Sequence, residues 1–251
     1  MDLGLDGRVV LVVGGSGGAG PTIARAFAAE GASVAVHYRS SAERAERAVE
    51  AIRGAGGRGV AVGADLSDPR AARALVESVG AALGPVDVLV TATSAYRQDR
   101  FVDLEEEAWA AIVDDLLGAV YRACRAVAPG MVERGWGRIV LISSRSGLVG
   151  VARAAHYGAA KAGLVGLARS LAKELGPSGV LVNAVAPVVL AYDKDGQPSV
   201  PPERADEMAR GVPLRRLATP DDLARVVVWL GSAANTYVTG EVVSLTGGAR
   251  S

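Results

Sequence analysis

The sequence has few aromatic residues and a single cysteine. Aromatic residues make up 4% of the chain, although 50% of its residues are hydrophobic. The core must therefore be filled by Val, Leu, Ile and Ala, which suits strands buried on both faces of a parallel sheet. Cys124 cannot form an internal disulfide, and its place in a helical pattern indicates a small buried hydrophobe in a reducing compartment.

The sequence also lacks an excess of charge, because Lys and Arg number 27 and Asp and Glu number 27. This balance excludes the basic surface expected of a protein that binds nucleic acid or an anionic membrane. No basic leader is present, and the first apolar run is too short for a signal peptide or a membrane span. We expect a soluble cytoplasmic protein, and no residue pattern indicates a metal site.

Apolar, β-branched runs alternate with Ala-rich stretches of helical spacing along the whole chain. This alternation predicts an α/β fold of the Rossmann type, a doubly wound seven-stranded parallel sheet with helices on both faces. No Pro/Gly/Ser-rich linker divides the chain, so we expect one domain over residues 1–251. The predicted strands are Val9 to Val13, Val34 to His37, Val60 to Val62, Val86 to Val90, Ile139 to Ile142, Val180 to Val185 and Val242 to Leu245, and the predicted helices cover about 20–30, 41–54, 68–82, 104–132, 154–176 and 220–232.

The longest irregular stretch runs from Val188 to about Pro202, and a short helical pattern from Glu203 to Arg210 follows it. Long loops in compact domains are often lids over a functional site. We therefore predict a substrate lid near residues 188–212. A surface insertion without a function is the alternative.

A glycine-rich segment follows the first predicted strand and precedes the first predicted helix. Glycines at such a turn permit positive φ and let backbone N–H groups approach a pyrophosphate at the helix N-terminus. A tight turn without a ligand is the alternative interpretation. The cofactor-binding candidates in this segment are Gly14, Ser16, Gly18, Ala19 and Gly20.

The end of the second predicted strand indicates which nicotinamide cofactor binds. An acid there would bond the ribose 2′-hydroxyl of NAD, whereas a cation would accept the 2′-phosphate of NADP. The chain reads His37-Tyr38-Arg39-Ser40 and has no acid, so Tyr38, Arg39 and Ser40 are candidates for binding NADP(H). A solvated loop position for Arg39 is the alternative, and His37 is interpreted as a strand-end residue rather than a catalyst.

Tyr157 and Lys161 lie four positions apart at the start of a long helical pattern, so both side chains project from one face. A neighbouring ammonium and an oxidised nicotinamide would both lower the pKa of the Tyr157 phenol and allow it to exchange a proton. Ser144 follows the fifth predicted strand, where its hydroxyl could hold a substrate carbonyl oxygen. These three residues are the principal catalytic candidates.

Together these motifs resemble the short-chain dehydrogenase/reductase family over nearly the whole chain. A narrower similarity, to 3-oxoacyl-carrier-protein reductases and polyketide ketoreductases, rests on His37-Tyr38-Arg39-Ser40, Pro213-Leu214-Arg215-Arg216 and Tyr237-Val238-Thr239-Gly240.

The resemblance implies that Ser144 polarises a carbonyl, Tyr157 supplies its proton and Lys161 binds the nicotinamide ribose, with hydride coming from the nicotinamide. It also implies a homo-oligomer, a dimer or tetramer, joined through the helices near 104–132 and 154–176. It further implies that Asp65 and Leu66 contact adenine. The remaining cofactor-binding candidates are Thr93, Tyr157, Lys161, Pro187, Val188 and Leu190.

The chain departs from the family pattern mainly on the nicotinamide side. Thr91-Ala92-Thr93-Ser94 replaces Asn-Asn-Ala-Gly, and Val188 and Tyr192 replace a Gly and a Thr. Asp115 matches the family's catalytic Asn, so we include it among the catalytic candidates and expect its carboxylate to raise the pKa of Lys161. An acid on a solvated helix face is the alternative for Asp115.

Three functional hypotheses follow. The first is an NADPH-dependent reductase of an apolar or carrier-bound carbonyl compound, which the catalytic group and Arg39 favour. The second is a non-redox enzyme on the same scaffold, such as an isomerase, dehydratase or cyclase, which the altered nicotinamide side favours. The third is a nucleotide-binding protein without catalysis. Turnover without added NADPH would distinguish the second hypothesis from the first.

Overall fold

Seven parallel strands form the central sheet of the computed structural model, which describes residues 1–194 and 197–249. Their order is β3-β2-β1-β4-β5-β6-β9. The predicted fold class is therefore confirmed. The strands are β1 (Val9–Val13), β2 (Ser33–Tyr38), β3 (Arg58–Gly63), β4 (Val88–Thr91), β5 (Gly137–Ile142), β6 (Val180–Pro187), β7 (Asp193–Lys194), β8 (Gln197–Pro198) and β9 (Val242–Leu245).

Helices cover both faces of this sheet, because alternate residues of a strand point to opposite faces. Val9, Leu11 and Val13 of β1 belong to one buried cluster, and Val10 and Val12 belong to the other. The first cluster includes residues of α3, α5 and α7, and the second includes residues of α1, α2 and α9. The helices are α1 (Gly20–Ala29), α2 (Ala42–Gly54), α3 (Pro69–Leu83), α4 (Glu106–Val113), α5 (Ala119–Glu133), α6 (Ser146–Val149), α7 (Ala155–Leu175), α8 (Pro202–Arg210) and α9 (Pro220–Leu230).

The helix predicted over about 104–132 is two α-helices joined by a π-turn. α4 passes into α5 through Asp114–Gly118, where the hydrogen bonds span five residues instead of four. Leu116 is the buried residue of this turn. A Cβ atom at Gly118 would collide with the Asp114 carboxylate, so glycine permits the close approach. Such turns are rare in proteins, and those that occur are often found at functional sites.

The predicted lid region contains more regular structure than its sequence indicated. β7 and β8 pair antiparallel, and α8 follows them. Asp195 and Gly196 of the predicted lid, and residues 250 and 251 of the predicted domain, lie outside the described residues. The Ser199 hydroxyl donates to the Leu190 carbonyl over 3.0 Å and accepts from the Tyr192 N–H over 3.0 Å, which ties both ends of the segment together.

The sheet reverses its strand order between β1 and β4, which are neighbours. Ligands of open parallel sheets bind beyond the carboxyl ends of the strands at such a switch point. Among the residues described, every helix is too short or too polar to cross a membrane.

Candidate active site

The glycine-rich segment turns tightly from β1 into α1 at the switch point. Gly14 and Gly18 have positive φ values of 74° and 54°. A Cβ atom at Gly20 would lie 2.5 Å from the Gly14 carbonyl oxygen, so this glycine lets the helix pack on the turn. Cβ atoms at Gly17 and Gly18 would meet no described atom within 4 Å. The open part of the turn therefore leaves room for a ligand beside the backbone.

His37 fixes the glycine turn to the sheet. Its Nδ1 accepts from the Gly14 N–H over 3.1 Å, and its Nε2 lies 3.0 Å from the Ala64 carbonyl oxygen. An imidazole that accepts at Nδ1 and donates at Nε2 is neutral, and burial lowers the pKa of His37 despite the bond to Ala64. His37 therefore lies buried at the end of β2, in agreement with its interpretation as a strand-end residue.

The cavity at the switch point has a volume of about 1120 Å³. Its lining joins residues from the glycine turn, from the ends of β4, β5 and β6, from α7 and from α8. It therefore brings many of the predicted site residues together, but leaves those at the ends of β2 and β3 outside. The predicted site residues that line it are Gly18, Ala19, Thr93, Ser144, Tyr157, Lys161, Pro187, Val188 and Leu190, and those outside it are Gly14, Ser16, Gly20, Tyr38, Arg39, Ser40, Asp65, Leu66 and Asp115.

Two adjacent serines at the end of β5 differ in their positions. Ser143 is buried, and its hydroxyl donates to the Lys161 carbonyl over 2.7 Å, which ties β5 to α7. Ser144 lines the cavity, hydrogen-bonds the Tyr157 side chain and accepts from the Ser146 N–H over 3.1 Å. The geometry therefore presents the hydroxyl of Ser144, and not that of Ser143, to a ligand in the cavity.

The Tyr157 phenol differs from its sequence-based expectation. Burial raises the pKa of Tyr157, the hydrogen bond from Ser144 lowers it, and Tyr96 raises it further. The Lys161 ammonium does not contribute to the pKa of Tyr157, although it was expected to lower it. The Lys161 Nζ lies 5.9 Å from the centre of the Tyr157 ring, and the burial of both groups is the dominant influence. Tyr157 therefore remains a protonated phenol at neutral pH.

Lys161 is buried, with 2% of its surface exposed. Its Nζ donates to the Ile142 carbonyl over 2.8 Å and to the Thr93 carbonyl over 3.0 Å. Burial lowers the pKa of Lys161 to about 7. Because Ile142 ends β5 and Thr93 follows β4, the lysine ties two central strands to α7 directly beneath the cavity.

Asp115 does not contact Lys161, so the predicted effect of its carboxylate on the lysine is wrong. Its Oδ1 lies 2.6 Å from Arg39 Nη1, at the end of β2. The π-turn buries Leu116 and leaves the Asp115 side chain about one-third exposed, where it pairs with Arg39. Desolvation alone accounts for the pKa of Lys161, and it acts in the opposite direction.

Asp65 and Leu66 lie near this ion pair at the end of β3. Hydrogen bonds from the Ser67 backbone and side chain lower the pKa of Asp65, and Arg39 and Arg122 contribute less. Arg122 donates to the Leu66 carbonyl over 2.9 Å and binds both oxygens of Asp114 at 2.6 and 3.1 Å. The residues predicted to contact adenine are therefore connected to the π-turn through Arg122.

Tyr96 is a site residue that the sequence interpretation missed. Its ring meets the Tyr157 ring edge-on, with the centroids 5.1 Å apart, and it lines the cavity beside Gln98. Tyr96 belongs to the segment after β4, which carries no regular element before the 3₁₀ turn Phe101–Asp103. Aromatic residues are rare in this chain, and this rarity was the only feature of the sequence that could have pointed to Tyr96.

A second overlooked pair lies directly beside Tyr157. His156 is fully buried, and its Nε2 is 3.4 Å from Asp99 Oδ2. Neither His156 nitrogen nor Asp99 Oδ2 forms a hydrogen bond within the described part of the chain. Asp99 also binds Arg97, at 2.9 Å. The Asp99 N–H donates to the Arg153 carbonyl over 2.8 Å, which holds the segment that carries Tyr96 near the start of α7, where Asp99 and His156 are in contact.

We expect His156→Leu and Asp99→Ala to affect stability non-additively. Buried polar groups are strongly destabilising when they lose their partner, so the two substitutions should show a coupling of about 1–3 kcal/mol in the free energy of unfolding. Urea unfolding of both single variants and the double variant measures this coupling. The exposed pair Arg100–Asp103, at 3.3 Å, is the matched control and should couple by less than about 1 kcal/mol. Additive effects at His156 and Asp99 would contradict the contact.

The residues around the cavity fit a bound dinucleotide in two respects. Gly17 and Gly18 leave open space against the backbone. Thr93 Oγ1 is buried beside the cavity without a hydrogen-bond partner in the described residues. Tyr192 lines both the cavity and a basic pocket of about 280 Å³ next to Ser16. Residues 1–194 and 197–249 contain no group of three or more His, Cys, Asp or Glu side chains that could hold a metal ion.

Known proteins resemble this chain over nearly its whole length. A family model described as enoyl-(acyl carrier protein) reductase matches residues 14–250. Nodulation protein G of Azospirillum brasilense is 34% identical over 241 residues, which are 96% of this chain and 97% of that protein. The 3-oxoacyl-(acyl-carrier-protein) reductase FabG of Staphylococcus aureus strain Mu50 is 35% identical with the same coverage.

A solved structure extends this similarity to three dimensions. A dehydrogenase/reductase from Sinorhizobium meliloti 1021 is 33% identical and has a TM-score of 0.89, covering 100% of this chain and 98% of that one. The family description names an enoyl reduction, whereas the Staphylococcus aureus relative is named for an oxoacyl reduction. These two names both state a reductase activity and differ in the substrate.

Proposed function

The chain belongs to the short-chain dehydrogenase/reductase family of oxidoreductases, and we propose that it reduces a carbonyl group with NADPH. One observation carries this proposal above the others. Ser144, Tyr157 and Lys161 come from two elements and meet at a single cavity that begins at the glycine turn. The same cavity can therefore receive a dinucleotide and a carbonyl substrate side by side.

The residues of this chain would hold NADPH at three places. The open backbone at Gly17 and Gly18 suits the pyrophosphate, and Arg39 suits the 2′-phosphate. Thr93, Pro187, Val188 and Leu190 line the part of the cavity next to Lys161, where the nicotinamide side is expected. When bound, NADPH supplies the hydride.

Ser144 and Tyr157 would act together on the substrate oxygen. The hydroxyl of Ser144 orients the carbonyl, and the Tyr157 phenol gives its proton to the oxygen as negative charge develops there. The raised pKa of Tyr157 keeps the phenol protonated at neutral pH, which is the form that a reduction requires. Lys161 supports this arrangement by holding the ends of β4 and β5 against α7.

The outer part of the cavity indicates the class of substrate. Its walls are mainly apolar, and α8 of the predicted lid contributes to them. An apolar oxo compound or an oxoacyl group on a carrier suits these walls, and the name of the Staphylococcus aureus relative specifies a carrier-bound substrate. The other apolar residues that line the cavity, which we assign to its outer part, are Val151, Val189, Met208, Val212, Pro213 and Leu217.

The proposal also covers the organisation of the protein. We propose that residues 1–251 form one domain, that residues 188–212 close over the substrate, and that the protein works in the cytoplasm. Apolar side chains exposed on and before the helices near 104–132, at Phe101, Val102 and Tyr121, support a dimer or tetramer.

Titration with NADPH and NADH tests the cofactor. We expect Arg39→Ala to weaken NADPH binding about tenfold, because a charge-assisted contact with the 2′-phosphate is lost, and to leave NADH binding within about twofold. Fluorescence energy transfer to the bound nicotinamide measures both dissociation constants. Arg100→Ala, which removes an exposed arginine elsewhere, is the control.

Failure of both nucleotides to bind would refute the NADPH-dependent reaction. Turnover of a substrate without nucleotide would then favour an isomerase, dehydratase or cyclase on this scaffold. If Arg39→Ala weakened the binding of NADH and NADPH equally, the role of Arg39 at the 2′-phosphate would be refuted, but the NADPH-dependent reaction would not.

A further inference from the structure

The arginine expected at the cofactor 2′-phosphate already has an anionic partner. Arg39 follows β2, Asp115 lies in the π-turn, and the ion pair of 2.6 Å joins residues 76 positions apart. About 56% of the Arg39 side chain and 31% of the Asp115 side chain are exposed. The contact is therefore a bridge between two elements that flank the adenosine end of the site.

The ion pair places the acid Asp115 near the end of β2, where the sequence of the strand itself has no acid. In dinucleotide-binding sheets an acid at the end of the second strand selects the ribose 2′-hydroxyl of NAD, and a cation there selects the 2′-phosphate of NADP. The sequence at this position offers only the cation. The fold brings the Asp115 carboxylate to the same guanidinium from a different element.

Neighbouring charges leave Asp115 as the acid paired with Arg39. Asp114, the adjacent acid, is occupied by both nitrogens of Arg122. Asp65 lies near enough for Arg39 to contribute to the lowering of its pKa, but its principal bonds are with Ser67. A phosphate bound at Arg39 would therefore lie close to the Asp115 charge.

We propose that Asp115 is a specificity-determining residue that competes with the cofactor 2′-phosphate for Arg39 and so limits the preference for NADPH over NADH. This inference rests on the proposed function. Arginine has five N–H donors, so both anions can contact it, but their mutual repulsion weakens phosphate binding. NADH has no 2′-phosphate and should bind without breaking the pair.

Asp115→Asn tests the competition, because the amide keeps the size of the side chain and removes its charge. We expect NADPH to bind about two- to fivefold more tightly, the factor that corresponds to an exposed ion pair of up to about 1 kcal/mol. The dissociation constant of NADH should stay within about twofold. In an Arg39→Ala background, Asp115→Asn should change NADPH affinity much less, because the contested guanidinium is gone.

Asp114→Asn is the matched control. It removes the same charge at the neighbouring residue, an acid that pairs with Arg122. The equilibrium titration also separates this inference from the proposed function. Weaker or unchanged NADPH binding in Asp115→Asn, equal tightening of NADH, or equal tightening without Arg39 would overturn the competition while the reductase proposal stands. Absence of binding by either nucleotide in every variant, including the natural chain, would refute both.

Discussion

Replacing Tyr157 with phenylalanine should lower the kcat for reduction of an oxo substrate by about 10³-fold. The substitution removes the proton that the proposed reaction delivers to the substrate oxygen, and positioned acids contribute about 10²–10⁴-fold to such steps. The ring and its edge-on contact with Tyr96 are kept, so the cavity should retain its shape. We therefore expect the dissociation constant of NADPH to stay within about twofold.

Stopped-flow measurement of single turnovers checks this expectation, because it separates the chemical step from nucleotide binding. Tyr96→Phe is the matched control: it removes the other phenol of the same ring pair, which accepts a hydrogen bond from Gln98 over 2.9 Å. Its kcat should fall by less than about tenfold. Unchanged turnover in Tyr157→Phe, with the control also unchanged, would show that the proton comes from another group.

Replacing Lys161 with methionine should change how the stability of the protein depends on pH. The pKa of Lys161 is about 7 in the folded protein, below the ordinary value of 10.5 for a lysine in the unfolded chain. Between these two values the unfolded chain binds a proton that the folded protein does not. The wild-type free energy of unfolding therefore rises with pH in this window and receives no such contribution to its slope below about pH 7.

Lys161→Met removes this dependence, so the stability difference between wild type and variant should shift by on the order of 3 kcal/mol from about pH 7 to about pH 9.5, in favour of the wild type. Chemical unfolding at both pH values measures the shift. Lys173→Met, at an exposed lysine in the last turn of the same helix, is the control for the loss of a lysine that is not buried. A constant difference for Lys161→Met would mean that the buried group keeps its ordinary pKa.

The sheet was predictable from sequence because its strands are continuous apolar runs. β1 and β9 have the predicted bounds, and the other strands of the sheet differ by a few residues at their ends. The helix over 104–132 was found, but its π-turn was not, because a single extra residue in one turn leaves no periodic signal in an Ala-rich segment. β7 and β8 are too short for strand periodicity to indicate them.

The meeting of Ser144, Tyr157 and Lys161 at one cavity was predictable because these residues lie close together in sequence or follow a recognisable strand. The errors concern electrostatics, which depend on contacts between distant segments. Asp115 was assigned to Lys161 from its position in a motif, whereas the fold pairs it with Arg39. The Lys161 ammonium was expected to lower the pKa of Tyr157, although burial, which spacing does not report, has the larger effect. His156 and Asp99 were missed for the same reason.

The π-turn between α4 and α5 rotates the side chains of α5 about the helix axis relative to those of α4. Ordinary helices advance by about 100° per residue, so one additional residue in a turn rotates everything after it by about that angle. α4 packs against α7, whereas α5 packs mainly against α3 and β5 and less against α7 and β4, and the offset lets each half present its own stripe of side chains. Deleting any one residue between Asp114 and Gly118 would align the halves and turn the buried stripe of α5 toward solvent. The number of residues in this turn is therefore constrained by packing, as is the glycine at position 118.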